Sequence, residues 1–236
     1  MCNLYANIAT AEAMRRLFQI ESEQDHLGNA PSRPSIHPNY PAPVVRQVEN
    51  VGRELVEMNW GFLTPNFSKR DGSPIKPRAW NNARDDSIFG KATGLWKDSF
   101  LHRRCLVPAT SFNETKGKKP AEDFWFGMAA DNADARPIFA IAGLWRIERE
   151  ELRGEGETGL RHTMVTTAAN DLVRPIHAKG RMPVVLDPAD YKIWLTGSPE
   201  QARALLRPFS STQMRIVRHG INEKRDLPTE FGGQTP

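Results

Sequence analysis

The chain has 236 residues, with 32 Lys+Arg against 28 Asp+Glu for a net charge of +4, and hydrophobic and charged fractions of 39% and 25%; these are globular-protein proportions, and the mild basic excess is a weak pointer to nucleic acid. Its longest apolar runs, such as FAIAGLW at 139–145, fall far short of the roughly 20 residues of a membrane span, and MCNLYANIATAEAMRR lacks a basic stretch followed by an apolar one. No membrane partner and a cytoplasmic location are therefore expected, while two cysteines outside CxxC spacing exclude a disulfide framework and a cysteine-held metal site.

Thr10 is placed to cap a helix over residues 11 to about 24, with Met14, Leu17 and Phe18 on one face. Five prolines between 26 and 43 predict a long loop, and residues 44–63 read as a hairpin. A second loop is expected over 65–77, a helix over 93–104, and a strand over 105–112 interrupted by Pro108. Apolar runs at 124–128, 138–145, 162–167, 182–186 and 214–218 predict further strands. A charged, Gly-rich connector spans 148–159, and two short helices are expected over 188–195 and 199–206. The order lacks strict strand–helix alternation, so the expected fold is α+β, one domain over 1–226 of mainly antiparallel sheets with peripheral helices and a frayed tail from 227.

Cys2 is the first candidate for chemistry. A small residue in second position permits removal of Met1, which leaves an amine and a thiol on neighbouring carbons. With free values of about 8 for the α-amine and about 8.5 for a thiol, a useful fraction of each is nucleophilic at neutral pH. Such a 1,2-aminothiol condenses with an aldehyde, first to an imine and then, by thiol addition, to a thiazolidine. The ordinary alternative is an arbitrary second residue. Three further segments carry polar groups: WNNAR at 80–84, PATSFNE at 108–114, and IHAKGRMP at 176–183. His102, His162, His177 and His219 show no ligand spacing, so neither metal nor cofactor is expected, and Cys105 inside an apolar strand reads as an inert thiol.

Together with MCN at the start, the segments WG-x-L-x-P (60–65), NAR (82–84), PA…E (108–114), TTAAN (166–170) and IH…RMP-V-x-L (176–186) resemble the SOS response-associated peptidase (SRAP) family, abasic-site processing proteins. The resemblance implies a barrel-like fold of antiparallel sheets. It further implies that the mature Cys2 traps the ring-opened aldehyde of an abasic site in single-stranded DNA as a thiazolidine crosslink, with possible crosslink reversal and self-processing. By the same resemblance Asn82 orients the reacting terminus, Glu114 is the acid/base group, and His177 is a second proton-transfer group. Arg84 contacts DNA, Thr166 and Thr167 lie on a DNA-facing strand, and Arg181 takes a cationic role. Arg84 and Arg181 are suited to holding phosphates, while Trp60 is either a face for a base or a core side chain.

The chain departs from the family pattern at three places. Leu4 stands where members carry a DNA-contacting arginine, Thr115 replaces a tryptophan after the glutamate, and Ala178-Lys179-Gly180 lengthen the gap between histidine and arginine. Two other readings compete with trapping by a monomer. One is an N-terminal-nucleophile cysteine peptidase or amidohydrolase in which Asn82 stabilises an oxyanion. The other is a noncatalytic single-strand-binding module in which Cys2 is incidental.

Overall fold

The computed structural model describes residues 2–90 and 94–227. From the N-terminus come β1 (Tyr5–Asn7), α1 (Ala11–Phe18), β2 (Arg33–Ile36), β3 (Pro41–Val48), β4 (Gly52–Trp60), β5 (Phe62–Phe67), β6 (Pro74–Trp80), β7 (Asn82–Arg84), α2 (Asp85–Ile88) and α3 (Lys97–His102). There follow β8 (Arg104–Ala109), β9 (Ser111–Lys116), β10 (Glu122–Met128), β11 (Phe139–Ile147), β12 (Leu160–Ala168), β13 (Arg181–Pro183), β14 (Val185–Leu186), α4 (Tyr191–Thr196), α5 (Pro199–Ala204) and β15 (Met214–Ile221). The expected α+β character and mainly antiparallel pairing are observed.

The largest sheet closes on itself. β12 pairs with β4, β4 with β3, β3 with β8, β8 with β11, and β11 returns to β12, giving a ring-like sheet. Among the named strands of the described residues, the β12–β4 and β12–β7 pairings are parallel and the others antiparallel. A second sheet runs β15-β10-β9-β1-β2, and β5 with β6 forms a separate two-stranded sheet. One core cluster, including Phe18, Leu55, Phe62, Phe100 and Trp194, packs the helices onto the ring. A second, including Cys2, Tyr5, Trp60, Phe112, Phe126 and Met164, joins the ring to the second sheet.

Sequence expectation and structure differ where proline was read as a breaker. The 26–43 loop contains β2 and the start of β3, and the 65–77 loop contains most of the β5–β6 hairpin. Each such proline avoids an inner ladder position: Pro34 is on an edge strand, Pro65, Pro74 and Pro77 are in a sheet of two strands, and Pro41 and Pro43 precede the residues where β3 gains its second neighbour. The first helix keeps its Thr10 cap, whose hydroxyl accepts from Ala13 N at 3.2 Å, but stops at Phe18 because Gln19 turns left-handed at φ 54°. The 105–112 strand is two strands separated by Thr110, and NAR, for which no strand is expected, is β7. Thr93, the first residue of the helix expected over 93–104, and the tail beyond 227 lie outside the described residues.

Candidate active site around Cys2

Cys2 is almost completely buried at the junction of the two sheets. Its carbonyl is held by two side-chain amides: Asn82 Nδ2 donates at 2.7 Å and Asn81 Nδ2 at 2.9 Å. The second of these also reaches Asn3 Oδ1 at 2.8 Å. The local cause is β7. Pairing parallel to β12, with Asn82 beside Met164 and Arg84 beside Thr166, this three-residue strand buries Ala83 in the core and projects its two flanking side chains to the other side. Asn82 therefore lies buried under Cys2, while Arg84 is exposed.

Glu114 comes from β9, the central strand of the second sheet, which pairs with both β1 and β10. It is 5% exposed and lines a cleft of about 530 Å3 together with Asn3, Leu4, His37, His177 and Lys179. Burial pushes its carboxyl up to about 8, so at neutral pH the group is mostly a neutral acid. Burial also pushes the Cys2 thiol up, and the charge of Glu114, when ionised, pushes it further, while the amino terminus and the backbone of Leu4 and Asn113 act the other way.

His177 closes the cleft from the loop after β12, with Nε2 3.5 Å from Glu114 Oε2. Its Nδ1 accepts two backbone N–H groups, from Lys179 and Arg181, each at 3.1 Å. With Nδ1 an acceptor, the neutral ring carries its hydrogen on Nε2, pointed at the carboxyl. Burial holds His177 down to about 4, and protonation at Nδ1 would set it against both N–H donors. Ala178, Lys179 and Gly180 thus build a wrap around the ring, and Gly180, at φ +57°, supplies the left-handed turn that closes it. The Gly180 N–H returns to His177 O at 2.8 Å.

The structure brings Cys2, Asn82, Glu114 and His177 together at one locus and distributes the other expected residues differently. Trp60 has no exposed surface; its ring meets Tyr5 edge-on at 5.0 Å, stacks on His162 at 6.5 Å, and donates from Nε1 to Asn81 O at 2.8 Å. The reading of Trp60 as a DNA-binding face is corrected: it is a core side chain that props the loop bearing Asn81. Thr166 and Thr167 are buried, not surface groups. Thr167 Oγ1 donates to Asp85 Oδ2 at 2.8 Å, and Thr166 receives Arg181 Nη2 at its carbonyl oxygen, 2.6 Å, and its hydroxyl, 3.2 Å. Arg181 also pairs with Asp85 Oδ1 at 2.8 Å, so its guanidinium is engaged within the protein. Arg84 is exposed on the outer side and pairs with Asp86.

Sequence reasoning passed over Asn81 and Asp85. Asn81 stood inside a quoted segment without a role; its partner lies 79 residues away. Asp85 follows the NAR segment directly, and its arginine partner is 96 residues distant. Among the described residues no group of three or more His, Cys, Asp or Glu side chains is arranged to hold a metal ion, and no helix is long and apolar enough to cross a membrane.

Fold and cleft together define an α+β protein of mainly antiparallel sheets, with a cysteine at the second position set against a carboxyl–imidazole pair. A family model described as SOS response associated peptidase (SRAP) matches residues 1–223, and the chain belongs to that family, which places it among SOS-associated, DNA-damage-related proteins. Crystal structures share the fold at low identity. A Bordetella bronchiseptica protein is 24% identical with a TM-score of 0.67, covering 94% of this chain and 100% of that one. A Bacteroides thetaiotaomicron protein is 22% identical with a TM-score of 0.64, covering 93% and 91%. A phage-related protein from B. bronchiseptica is 20% identical with a TM-score of 0.65, covering 96% and 100%. Among curated proteins, none matches the chain.

Proposed function

We propose that this protein, after loss of Met1, traps abasic sites in single-stranded DNA through a thiazolidine formed by Cys2. The observation that carries the reading is the convergence on Cys2 of a neutral carboxyl, Glu114, and a neutral imidazole whose Nε2–H faces it. The α-amine freed at Cys2 attacks the ring-opened aldehyde carbon. Glu114 gives its proton to the departing hydroxyl, which leaves as water, and an iminium remains. The Cys2 sulfur then bonds to the same carbon, its proton passing to the Glu114 carboxylate, and the iminium electron pair returns to nitrogen; nothing is oxidised or reduced. Glu114 ends protonated and ready to act in reverse. The amides of Asn81 and Asn82 fix the cysteine backbone so that amine and thiol face the same carbon.

Arg84, exposed beyond the same strand as Asn82, is the side chain best placed to meet a backbone phosphate, exchanging Asp86 for it. Lys179 on the rim of the cleft adds a second cation. An amide-hydrolase role is less well served, because the Asn82 side-chain N–H is already donating to the Cys2 carbonyl instead of standing ready for an oxyanion. The reading is tested on single-stranded DNA carrying one abasic site, beside undamaged DNA, on a denaturing gel. Wild type is expected to give a shifted band on damaged DNA only. A Cys2→Ala protein that still gives the band would refute it.

A further inference from the structure

Arg181 was expected at DNA, yet it is one of the most internally committed arginines of the site. Its side chain, 12% exposed, spans from β13 to Asp85 at the start of α2 and to Thr166 on β12. Asp85 is held from its other oxygen by Thr167, also on β12. The backbone of Arg181 meanwhile supplies one of the two N–H groups that fix His177 Nδ1. Asp85 stands three residues after Asn82, which clamps the Cys2 carbonyl. One carboxylate therefore ties the segment that orients Cys2 to the segment that orients His177.

We infer that Asp85 and Arg181 are positioning residues, a buckle that sets the His177 ring in the tautomer with its hydrogen on Nε2 and keeps it in register with Cys2. Arg181 positions the His177 ring through its own backbone N–H. Asp85 acts one step further out, by fixing where Arg181 begins β13. The β12–β13 pairing, with Ala168 beside Arg181 and Thr167 beside Met182, spans only three residues, too little ladder to hold the loop end without a side-chain anchor. Two oxygens of a single carboxylate bonded to two different strands supply that anchor. The charged and titratable groups acting on His177 include Glu114 from β9, the amino terminus of the chain, and Lys179 and Arg181 from its own loop.

The kinetic consequence rests on the trapping reading above; the structural one does not, and the test separates them. In the protein without DNA, nitrogen-15 NMR of the His177 ring at pH 7 is expected to show a single tautomer with Nε2 protonated. Asp85→Ala is expected to give mixed tautomers, while Asp85→Asn, whose single amide oxygen still accepts from Arg181 while its NH2 donates to the Thr167 hydroxyl oxygen, keeps most of the wild-type signal. Thr167→Val, which removes one hold at nearly constant volume, should fall between them and guards against an unfolded Asp85→Ala protein. On abasic single-stranded DNA, Asp85→Ala should slow crosslinking by about ten- to a hundredfold, the scale of a misplaced proton-transfer group, with DNA affinity unchanged.

An unaltered His177 tautomer in folded Asp85→Ala and Thr167→Val overturns the inference. So does tighter DNA binding by Asp85→Ala with a steeper salt dependence, since that would show Arg181 released to act as a phosphate contact. If wild type forms no crosslink at all while the tautomer responds as expected, the positioning inference stands and the trapping reading falls.

Discussion

The molecule contains two sets of buried cysteine, histidine and aromatic side chains, and only one is built as a site. In the ring-like sheet, Cys105 packs with Val44, Val56 and Met58, while His162 stacks on Trp60 and its Nδ1 meets the Met58 carbonyl at 3.2 Å. Burial pushes the Cys105 thiol up and His162 down to about 3. At the junction of the sheets, burial shifts Cys2 and His177 in the same directions. A perturbed titration therefore does not separate them. What does is the third group and the opening: His177 faces Glu114 across a cleft, whereas among the described residues no carboxylate pairs with His162. The lesson is that burial makes groups neutral, and only a facing partner with access makes neutrality usable.

Five substitutions sharpen or break that contrast. The largest effect is expected at the cysteines: Cys2→Ala should abolish crosslinking to abasic single-stranded DNA on a denaturing gel, and Cys105→Ala should leave it within about twofold, as befits a thiol outside the site. Equal loss in both would erase the contrast. Next, Glu114→Gln should slow crosslinking by about a hundredfold or more. The wild-type rate should fall as pH rises through about 8, where Glu114 gives up its proton, and Glu114→Gln should lack that falling limb.

The same group carries a stability signature. The folded value of Glu114, about 8, lies above its free value, so the stability it contributes is fully present below the free value and is lost as pH rises toward and through 8. His177, held down to about 4, has the opposite sign: its contribution is present above its free value and is lost as pH falls through 4. Of this pair, Glu114 alone changes stability between about pH 6.5 and 8, so Glu114→Gln should flatten the decline of melting temperature over that interval. The third contrast is between the histidines. His177→Ala should slow crosslinking by about tenfold or more with little change in melting temperature, whereas His162→Ala should lower the melting temperature and leave the rate of folded protein unchanged. The smallest effect is again at Cys105. Its sulfur is packed so closely that a Cβ built on Gly143 would lie 2.8 Å from it, and Cys105→Ala should cost about 1 kcal/mol in denaturant unfolding.

The legible part of the fold was where a local rule acts alone. Thr10 caps its helix as read, and the apolar runs that became β10, β11, β12 and β15 were found within a few residues of their bounds. What sequence reading missed was decided by sheet position. Pro34 forbids an interior strand but not an edge, and no local signal states that β2 has a single neighbour. The same holds for β7, three residues that become strand only because β12 lies alongside. At the site, Cys2, Asn82, Glu114 and His177 were legible through ordered segments, not through periodicity. Residue type indicates what a side chain can do at a surface, but Tyr5 and His162, brought in from distant positions, enclose Trp60, and Asp85 and Thr166 likewise engage Arg181.

The central claim is that the carbon of the lesion ends bonded to both nucleophiles of residue 2. It is tested by forming the crosslink with abasic single-stranded DNA, digesting protein and DNA, and sequencing the modified peptide by mass spectrometry. The account predicts a peptide that begins at Cys2, without Met1, carrying the lesion sugar with loss of one water and no free thiol at that residue. A sugar attached to a lysine such as Lys179, or to Cys2 in a peptide that retains Met1, would contradict it.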